Sequence, residues 1–299
     1  MARIAQIIPY FGRWPEWFDL YLYSCGRNPM VDFFFYTDCP VPNKKYANTH
    51  FITIKAEEYY QLVGKRLGID YSIENPYKLT DLKPFLGAIH EPELRGYDFW
   101  SFGDLDLCYG DLNMLLNDHN LSKYDLITTH NYHIAGHFTV LRNNKHYREL
   151  CFRIPDWQNR LCGDKHYGFD EGEWSALAFP GIKVNRSVWN RIVKKLRVTD
   201  FFSFMDFANR INGGRRLFRE YFTSPAPKEA EIWRYRIKDG KVFRPDGKEL
   251  PYIHFLFFKK TPWFDTDKYW GQNFYHLNID KLQSNDTVAI SLNGIDVEK

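Results

Sequence analysis

Short apolar runs alternate with helix-period segments through the first half of the chain. Ile4 to Tyr10, Phe33 to Thr37, Phe51 to Ile54, Tyr97 to Phe102, Leu126 to Thr129 and Phe138 to Leu141 each read as strands. Between them, Leu79, Leu82, Leu86 and Ile89 recur at helical spacing, with Pro84 placed where a first helical turn tolerates a missing N–H. This predicts a helix packed on a sheet. Beyond Pro180-Gly181 the pattern becomes basic and aromatic: Trp189, Ile192, Val193 and Leu196 share one helical face, with Arg191, Lys194 and Lys195 lying away from it. Trp233, Tyr235 and Ile237 then alternate with Arg234, Arg236 and Lys238 ahead of Asp239-Gly240, a two-residue hairpin signal. A second turn, Pro245-Asp246-Gly247, leads into the apolar run Tyr252 to Phe258. The expected architecture is α/β: a mixed sheet flanked by helices, with a C-terminal helical and hairpin elaboration. It forms one elaborated domain in three stretches, residues 1–182, 183–250 and 251–299.

Composition narrows the function classes. Apolar residues at 44% and charged residues at 26% exclude disordered and fibrous chains, and the aromatic share of 18% supplies flat faces for packing or for stacking on sugar rings and bases. A net charge of +3 on 299 residues is too small to demand a polyanion, so no nucleic-acid partner is expected. The basic face after Pro180 suits either plain solvation or contact with an anionic acceptor or a membrane surface. Five cysteines without a Cys-X-X-Cys pair signal neither a disulfide framework nor a zinc knuckle. With no apolar stretch of membrane-spanning length, the expected location is cytoplasmic, at most peripheral to a membrane.

The chemistry concentrates in Tyr97-Asp-Phe-Trp-Ser-Phe-Gly-Asp-Leu-Asp-Leu-Cys-Tyr-Gly110, where a strand-like run ends at Gly103 and Asp104-Leu105-Asp106 follows. Residues two apart in extended backbone point the same way, so both carboxylates can face one point while Leu105 turns inward. Such a hard, oxygen-rich site suits Mn²⁺ or Mg²⁺, with substrate phosphate oxygens completing the shell. Phosphatases of the haloacid dehalogenase type also use Asp-X-Asp, but after the first strand and normally with Thr or Val two residues on, where this chain has Cys108. Nucleotidyltransferases of the polymerase-beta type want an upstream Gly-Ser motif, which is not found.

The order of motifs resembles that of GT-A glycosyltransferases, in particular family 8 and related bacterial polysaccharide-biosynthesis enzymes. The resemblance implies that Ile8, Pro9, Tyr10 and Phe11 hold the nucleoside and that Thr37 and Asp38 face base and ribose. Within Tyr77-Lys-Leu-Thr-Asp-Leu-Lys-Pro84, it makes Lys83 the first and Lys78 the second candidate to reach the donor nucleotide. His133-Ile-Ala-Gly-His-Phe-Thr-Val140 is similar to the strand that lines the donor sugar, with Gly136 allowing close approach and Ile134 standing where Asn is usual. Phe169-Asp170-Glu171-Gly172 falls where related enzymes carry an acidic pair near the reacting carbon. Only one of the two carboxylates is expected to point inward, Glu171 before Asp170. The late segment Ile253-His254 to Lys259-Lys260-Thr261-Pro262-Trp263 resembles the family's closing motif, in which His completes the metal shell and Lys binds the diphosphate. Thr261 interrupts that motif here. The implied metal ligands are thus Asp106 and His254, with Asp104 on the metal or the ribose.

The function so implied is transfer of a sugar from a nucleotide diphosphate sugar, UDP-linked, to a glycan or glycolipid acceptor. A metal-dependent phosphatase or nucleotidyltransferase, and a noncatalytic carbohydrate-binding protein, are the alternatives.

Overall fold

The first apolar run becomes β1 (Ile4–Pro9), buried along its length except at its C-terminal residue, as befits a central strand covered on both faces. In the computed structural model, which describes residues 2–131, 133–178, 215–260 and 269–298, β1 pairs in parallel with β2 (Val31–Thr37), and β2 with β3 (Thr49–Thr53). On its other side β1 pairs in parallel with β4 (Phe99–Gly103). After β5 (Leu107–Tyr109) come β6 (Leu126–Thr128), β7 (Phe138–Arg142) and β8 (Arg216–Phe218). The sheet runs β3-β2-β1-β4-β7-β6-β8. Because β7 is antiparallel to both β4 and β6, the sheet is mixed. The protein is therefore α/β with helices against a mixed sheet, as its patterning implies.

Alternation along the strands sorts the core. Ala5, Ile7, Trp100 and Phe102 build one face with Leu82, Phe85 and Ile89, while Ile4, Ile8 and Phe99 build the other with Phe18, Tyr21 and Phe35. Helix α1 (Phe18–Gly26) covers the second face, and α2 (Ala56–Leu67) contributes Tyr59 and Val63 to the first.

The helix expected around Leu79 to Ile89 is present in a different form. Residues Pro76–Phe85 wind as a 3₁₀ helix, and only α3 (Leu86–Ile89) is α-helical. Pro84 lies near the end of the 3₁₀ stretch rather than in a first α-turn; it has no N–H to give Thr80, so α-helical bonding cannot run through it. The tighter winding places residues three apart on one side, which aligns Lys78 with Asp81.

The C-terminal strands are β9 (Trp233–Arg236), β10 (Lys241–Phe243), β11 (Glu249–Leu250), β12 (Tyr252–His254), β13 (Thr287–Ser291) and β14 (Gly294–Val297). Five of them form a second sheet in the order β11-β10-β9-β13-β14. The β9–β10 hairpin has a four-residue loop, Ile237 to Gly240, instead of the two residues expected, because Arg236 is the residue opposite Lys241. Ile237 gives its N–H to Asp286 O at 3.1 Å and so leaves the pairing early. Of the run Tyr252 to Phe258, only β12 is strand, and it pairs antiparallel with β5. Phe255 and Phe258 turn into a third core with Trp233 and Trp270. The basic face of Trp189, Arg191, Ile192, Val193, Lys194, Lys195 and Leu196, and the residues Thr261, Pro262 and Trp263, lie outside the described residues. Among the described residues no helix is long and apolar enough to cross a membrane.

His90 closes α3 beneath the first core face, fully buried, with Nε2 3.0 Å from the Tyr59 hydroxyl. Burial, helped by the Arg66 charge, lowers its pKa from 6.5 to about 3. The unfolded chain therefore takes up a proton near pH 6.5 that the folded chain refuses, and stability falls as pH drops through that window by up to about 1.4 kcal/mol per unit. His90→Gln should lose this slope. Urea unfolding should find the stability gap between wild type and variant about 2 kcal/mol narrower at pH 5 than at pH 7; a constant gap would mean that His90 titrates freely in the folded protein.

Candidate metal and anion site

Asp104 and Asp106 occupy the crossing between the C-terminal end of β4 and the start of β5, and the backbone there is pinned from three sides. Asp104 N donates to His137 O at 3.0 Å, Trp17 Nε1 donates to Leu105 O at 2.8 Å, and Phe255 N donates to Asp106 O at 2.8 Å. Leu105 is buried between the two acids, as the alternation predicts. The β5–β12 pairing sets His254 opposite Leu107, which carries its ring to the Asp106 side chain: Nε2 lies 3.2 Å from Oδ2. At the other ring nitrogen the Ser224 hydroxyl sits 2.8 Å from Nδ1. Nε2 is placed to donate a proton to Asp106, and with Nδ1–H held by Ser224 the same nitrogen would offer its lone pair to a metal bound between it and the carboxylates. One ligand atom from each of Asp104, Asp106 and His254 falls within a 4.8 Å cluster. Two carboxylates and one imidazole form a donor set suited to Mn²⁺, and also to Mg²⁺ with more of the shell left to water and phosphate.

Two lysines meet the same carboxylates. Lys83 Nζ lies 2.6 Å from Asp104 Oδ1 and 3.8 Å from Asp170 Oδ2, and Lys259 Nζ lies 2.5 Å from Asp106 Oδ2. Burial alone would raise the pKa of Asp106, but the Lys259 and His254 charges outweigh it and hold the carboxyl well below its ordinary range. Burial likewise opposes the charge on Lys83, and the neighbouring Asp104 and Asp170 reverse that effect and raise its pKa. Lys260, by contrast, is exposed, with its ammonium 5.9 Å from the Tyr269 ring. Of the adjacent lysines, the structure brings only Lys259 to the aspartates.

Asp170 and Glu171 both approach Gly136. The Gly136 N–H points at Glu171 Oε1 across 3.4 Å, and a Cβ built on Gly136 would meet Asp170 Oδ2 at 2.4 Å and Glu171 Oε1 at 3.1 Å. The expectation that only one of the two carboxylates points inward assumes regular helix or strand. The segment Asp170–Trp174 instead takes π-type winding, irregular at Gly172 (φ −92, ψ −112), and both side chains reach Gly136. Asp170 is the buried member, and burial raises its pKa to about 6 despite Lys83, with Glu171 and Asp104 adding to the rise.

The nucleoside-side candidates gather at the ends of β1 and β2. Pro9 ends β1, Tyr10 N donates to Tyr36 O at 2.9 Å and Tyr10 stacks on Trp14, while Phe11 packs on the rings of Tyr59 and Tyr60. Thr37 Oγ1 accepts from Cys39 N at 3.0 Å, and Asp38 Oδ1 accepts from Gly12 N at 2.7 Å. Asp38 thus ties the loop after β1 to the end of β2. Lys78, the second lysine candidate, is fully buried against Asp81, away from this surface.

Sequence reasoning overlooked Ser224, which orients His254, and His137, whose ring stacks on His254 at 4.3 Å and whose carbonyl holds Asp104. His137 follows Gly136 and was open to view. Nothing local marks Ser224, because its partner is thirty residues away.

A family model described as "Family of unknown function (DUF6625)" matches residues 6–284. No curated protein sequence matches the chain. Among solved structures, the apo-form glycosyltransferase GlyE of Streptococcus pneumoniae is similar at 13% identity and a TM-score of 0.31, over 65% of this chain and 44% of that one. The chain thus spans less than half of GlyE. The galactosyltransferase LgtC, in complex with donor and acceptor sugar analogues, is similar at 10% identity and a TM-score of 0.25, over 74% of each chain. Scores this low carry no assignment of activity.

The crowding at Gly136 yields a double-mutant test. Gly136→Ala should destabilise the protein by about 1–3 kcal/mol, because a methyl group would have to displace the Asp170 carboxylate. Adding Asp170→Ala removes the colliding oxygen, so denaturant unfolding should show the double variant more stable than the sum of the single effects. Strict additivity would mean the two residues do not touch.

Proposed function

The chain belongs to DUF6625, a family of unknown function, and from its site we propose that it is a metal-dependent glycosyltransferase of the GT-A type. In this reading a sugar moves from a nucleotide diphosphate sugar, UDP-linked, to a glycan or glycolipid acceptor. The observation that carries the reading is one cluster in which Asp104, Asp106 and His254 offer a divalent-cation site while Lys83 and Lys259 stand on the same carboxylates. Cation ligands beside ammonium groups are what a diphosphate needs, since its charge is shared between a metal and lysines. When bound, Mn²⁺ or Mg²⁺ would act as a Lewis acid on the diphosphate, offsetting the charge that collects as the sugar bond breaks.

The chain's own groups have distinct parts in this proposal. Lys83 and Lys259 exchange carboxylate oxygens for phosphate oxygens. Asp170 and Glu171, facing Gly136, receive the acceptor hydroxyl proton or stabilise positive charge on the sugar. A carboxyl with a pKa near 6 can hold or release a proton near neutrality, which favours Asp170 for the transfer. Residues Pro9 to Phe11, Thr37 and Asp38 form the nucleoside side. Residues 1–182 serve as the nucleotide-sugar core, 183–250 as the acceptor side and 251–299 as the closing segment.

Incubation with a panel of UDP-sugars and Mn²⁺, with UDP release as the readout, tests the reading. Release of inorganic phosphate or pyrophosphate instead would assign the site to a hydrolase or nucleotidyltransferase, and binding without turnover to a carbohydrate-binding protein. Asp106→Ala should abolish UDP release and Mn²⁺ binding while leaving the fold intact.

The paired charges make a sharper prediction. Because each aspartate already faces an ammonium, Mn²⁺ alone should bind the wild type weakly and UDP should tighten it. Lys83→Met and Lys259→Met should each strengthen Mn²⁺ binding without nucleotide, by roughly tenfold or about 1.4 kcal/mol, and weaken UDP binding. Calorimetric titration separates the two effects; weaker Mn²⁺ binding in these variants would show that the lysines do not compete with the cation.

A further inference from the structure

Lys78 and Asp81 form a fully buried ion pair, Nζ to Oδ2 2.9 Å, on the 3₁₀ helix that also carries Lys83. Neither faces the metal and anion site, so the proposed chemistry leaves them unused. A buried ion pair is a poor source of net stability, because desolvation offsets most of the attraction. Its partners indicate another role. Lys78 Nζ donates to the carbonyls of Arg160 at 2.7 Å and Lys165 at 2.5 Å, and lies 4.9 Å from the Tyr167 ring centroid. Asp81 accepts from Tyr167 N at 3.0 Å and from Gly168 N at 2.8 Å. His166 Nε2 stands 3.5 Å from Asp81 Oδ1.

The two charges together thus clamp a carbonyl of the helix Trp157–Cys162 and, in the loop that follows it, the Lys165 carbonyl and the Tyr167 and Gly168 amides. Gly168, at φ +61, supplies the left-handed turn that lets the Tyr167 and Gly168 amides converge on Asp81. Phe169 follows, buried against Phe85 of the same helix, and then come Asp170 and Glu171. We infer that the Lys78–Asp81 pair is a positioning device: it fastens the loop bearing Asp170 and Glu171 to the helix bearing Lys83, and so fixes the acidic pair against the ammonium and the metal site. This rests on the glycosyl-transfer reading for what the acidic pair does, and on the contacts alone for how it is held.

The experiment has two arms. Hydrogen exchange on the full chain reads the clamp directly: in Asp81→Asn the Tyr167 and Gly168 amides should lose protection while β1 and β4 keep theirs. Turnover of whichever UDP-sugar the wild type uses reads the consequence. It should fall by roughly tenfold or more in kcat, with Mn²⁺ and UDP affinities within about twofold of wild type, because Asp104, Asp106, His254 and Lys259 sit on other elements and Lys83 keeps its own partner in Asp104. Sites counted by Mn²⁺·UDP stoichiometry correct for any misfolded fraction, which a merely structural role would change in place of kcat. If Asp81→Asn does not fold, Gly168→Ala loosens the same loop through its backbone, since its Cβ would meet only His166 Cε1 at 3.7 Å. Amides that stay protected, or freed amides with unchanged kcat, would overturn the inference. A wild type that binds neither Mn²⁺ nor UDP would remove the catalytic reading, and the exchange arm would still decide whether the pair holds the loop.

Discussion

A buried carboxylate persists only where opposite charge and hydrogen-bond donors compensate its lost hydration, and Asp106 imposes that condition on the whole site. Its compensation comes from residues about 150 positions later in the chain: the His254 imidazole and the Lys259 ammonium. The pairing of β5 with β12 delivers both, and Phe255 secures the crossing with its N–H on the Asp106 carbonyl. A two-stranded sheet that would be marginal alone thus joins the main sheet to the C-terminal strands around a charge that neither could bury unaided.

On the opposite flank the same logic runs through Lys83. Its ammonium sits between Asp104 and Asp170, so the strand acids and the acids of the Asp170–Trp174 segment share one cation. The 3₁₀ helix that presents Lys83 also holds Lys78 and Asp81 inside the protein. One short element therefore serves two electrostatic tasks, one turned toward the site and one turned away from it. The tighter winding ahead of Pro84 makes that division possible, because it sets Lys78 above Asp81 and leaves Lys83 on another side.

Lys83 and Lys259 face Asp104 and Asp106, and Asp170 and Glu171 add further carboxylates that the two ammonium groups do not offset. In the proposed function a cation entering this cluster would displace the ammonium groups and a diphosphate would accept them, so that binding of the two would be linked through the lysines.

Patterning alone determined an α/β sheet, because the apolar runs at β1, β2, β4, β6 and β7 alternate with helical segments and reflect burial that each strand needs wherever it pairs; the antiparallel pairing of β7 then made the sheet mixed. It also anticipated that Asp104 and Asp106 share a side, although a bend between β4 and β5, and not extended backbone, brings them together. Tertiary structure decided what local rules cannot reach. A 3₁₀ stretch stands where spacing alone suggested an α-helix, and the Asp170–Trp174 segment carries both Asp170 and Glu171 to Gly136. Between Lys259 and Lys260 the sequence offered no preference; the fold places Lys259 on Asp106 and Lys260 by Tyr269. Lys83 ranked ahead of Lys78 as a candidate for a nucleotide, and the fold separates them: Lys78 is buried on Asp81 and Lys83 meets Asp104. For Lys83, Lys259 and the acidic pair the deciding contact lies between residues far apart in the chain, and its energy depends on a burial that exists only once the elements have packed.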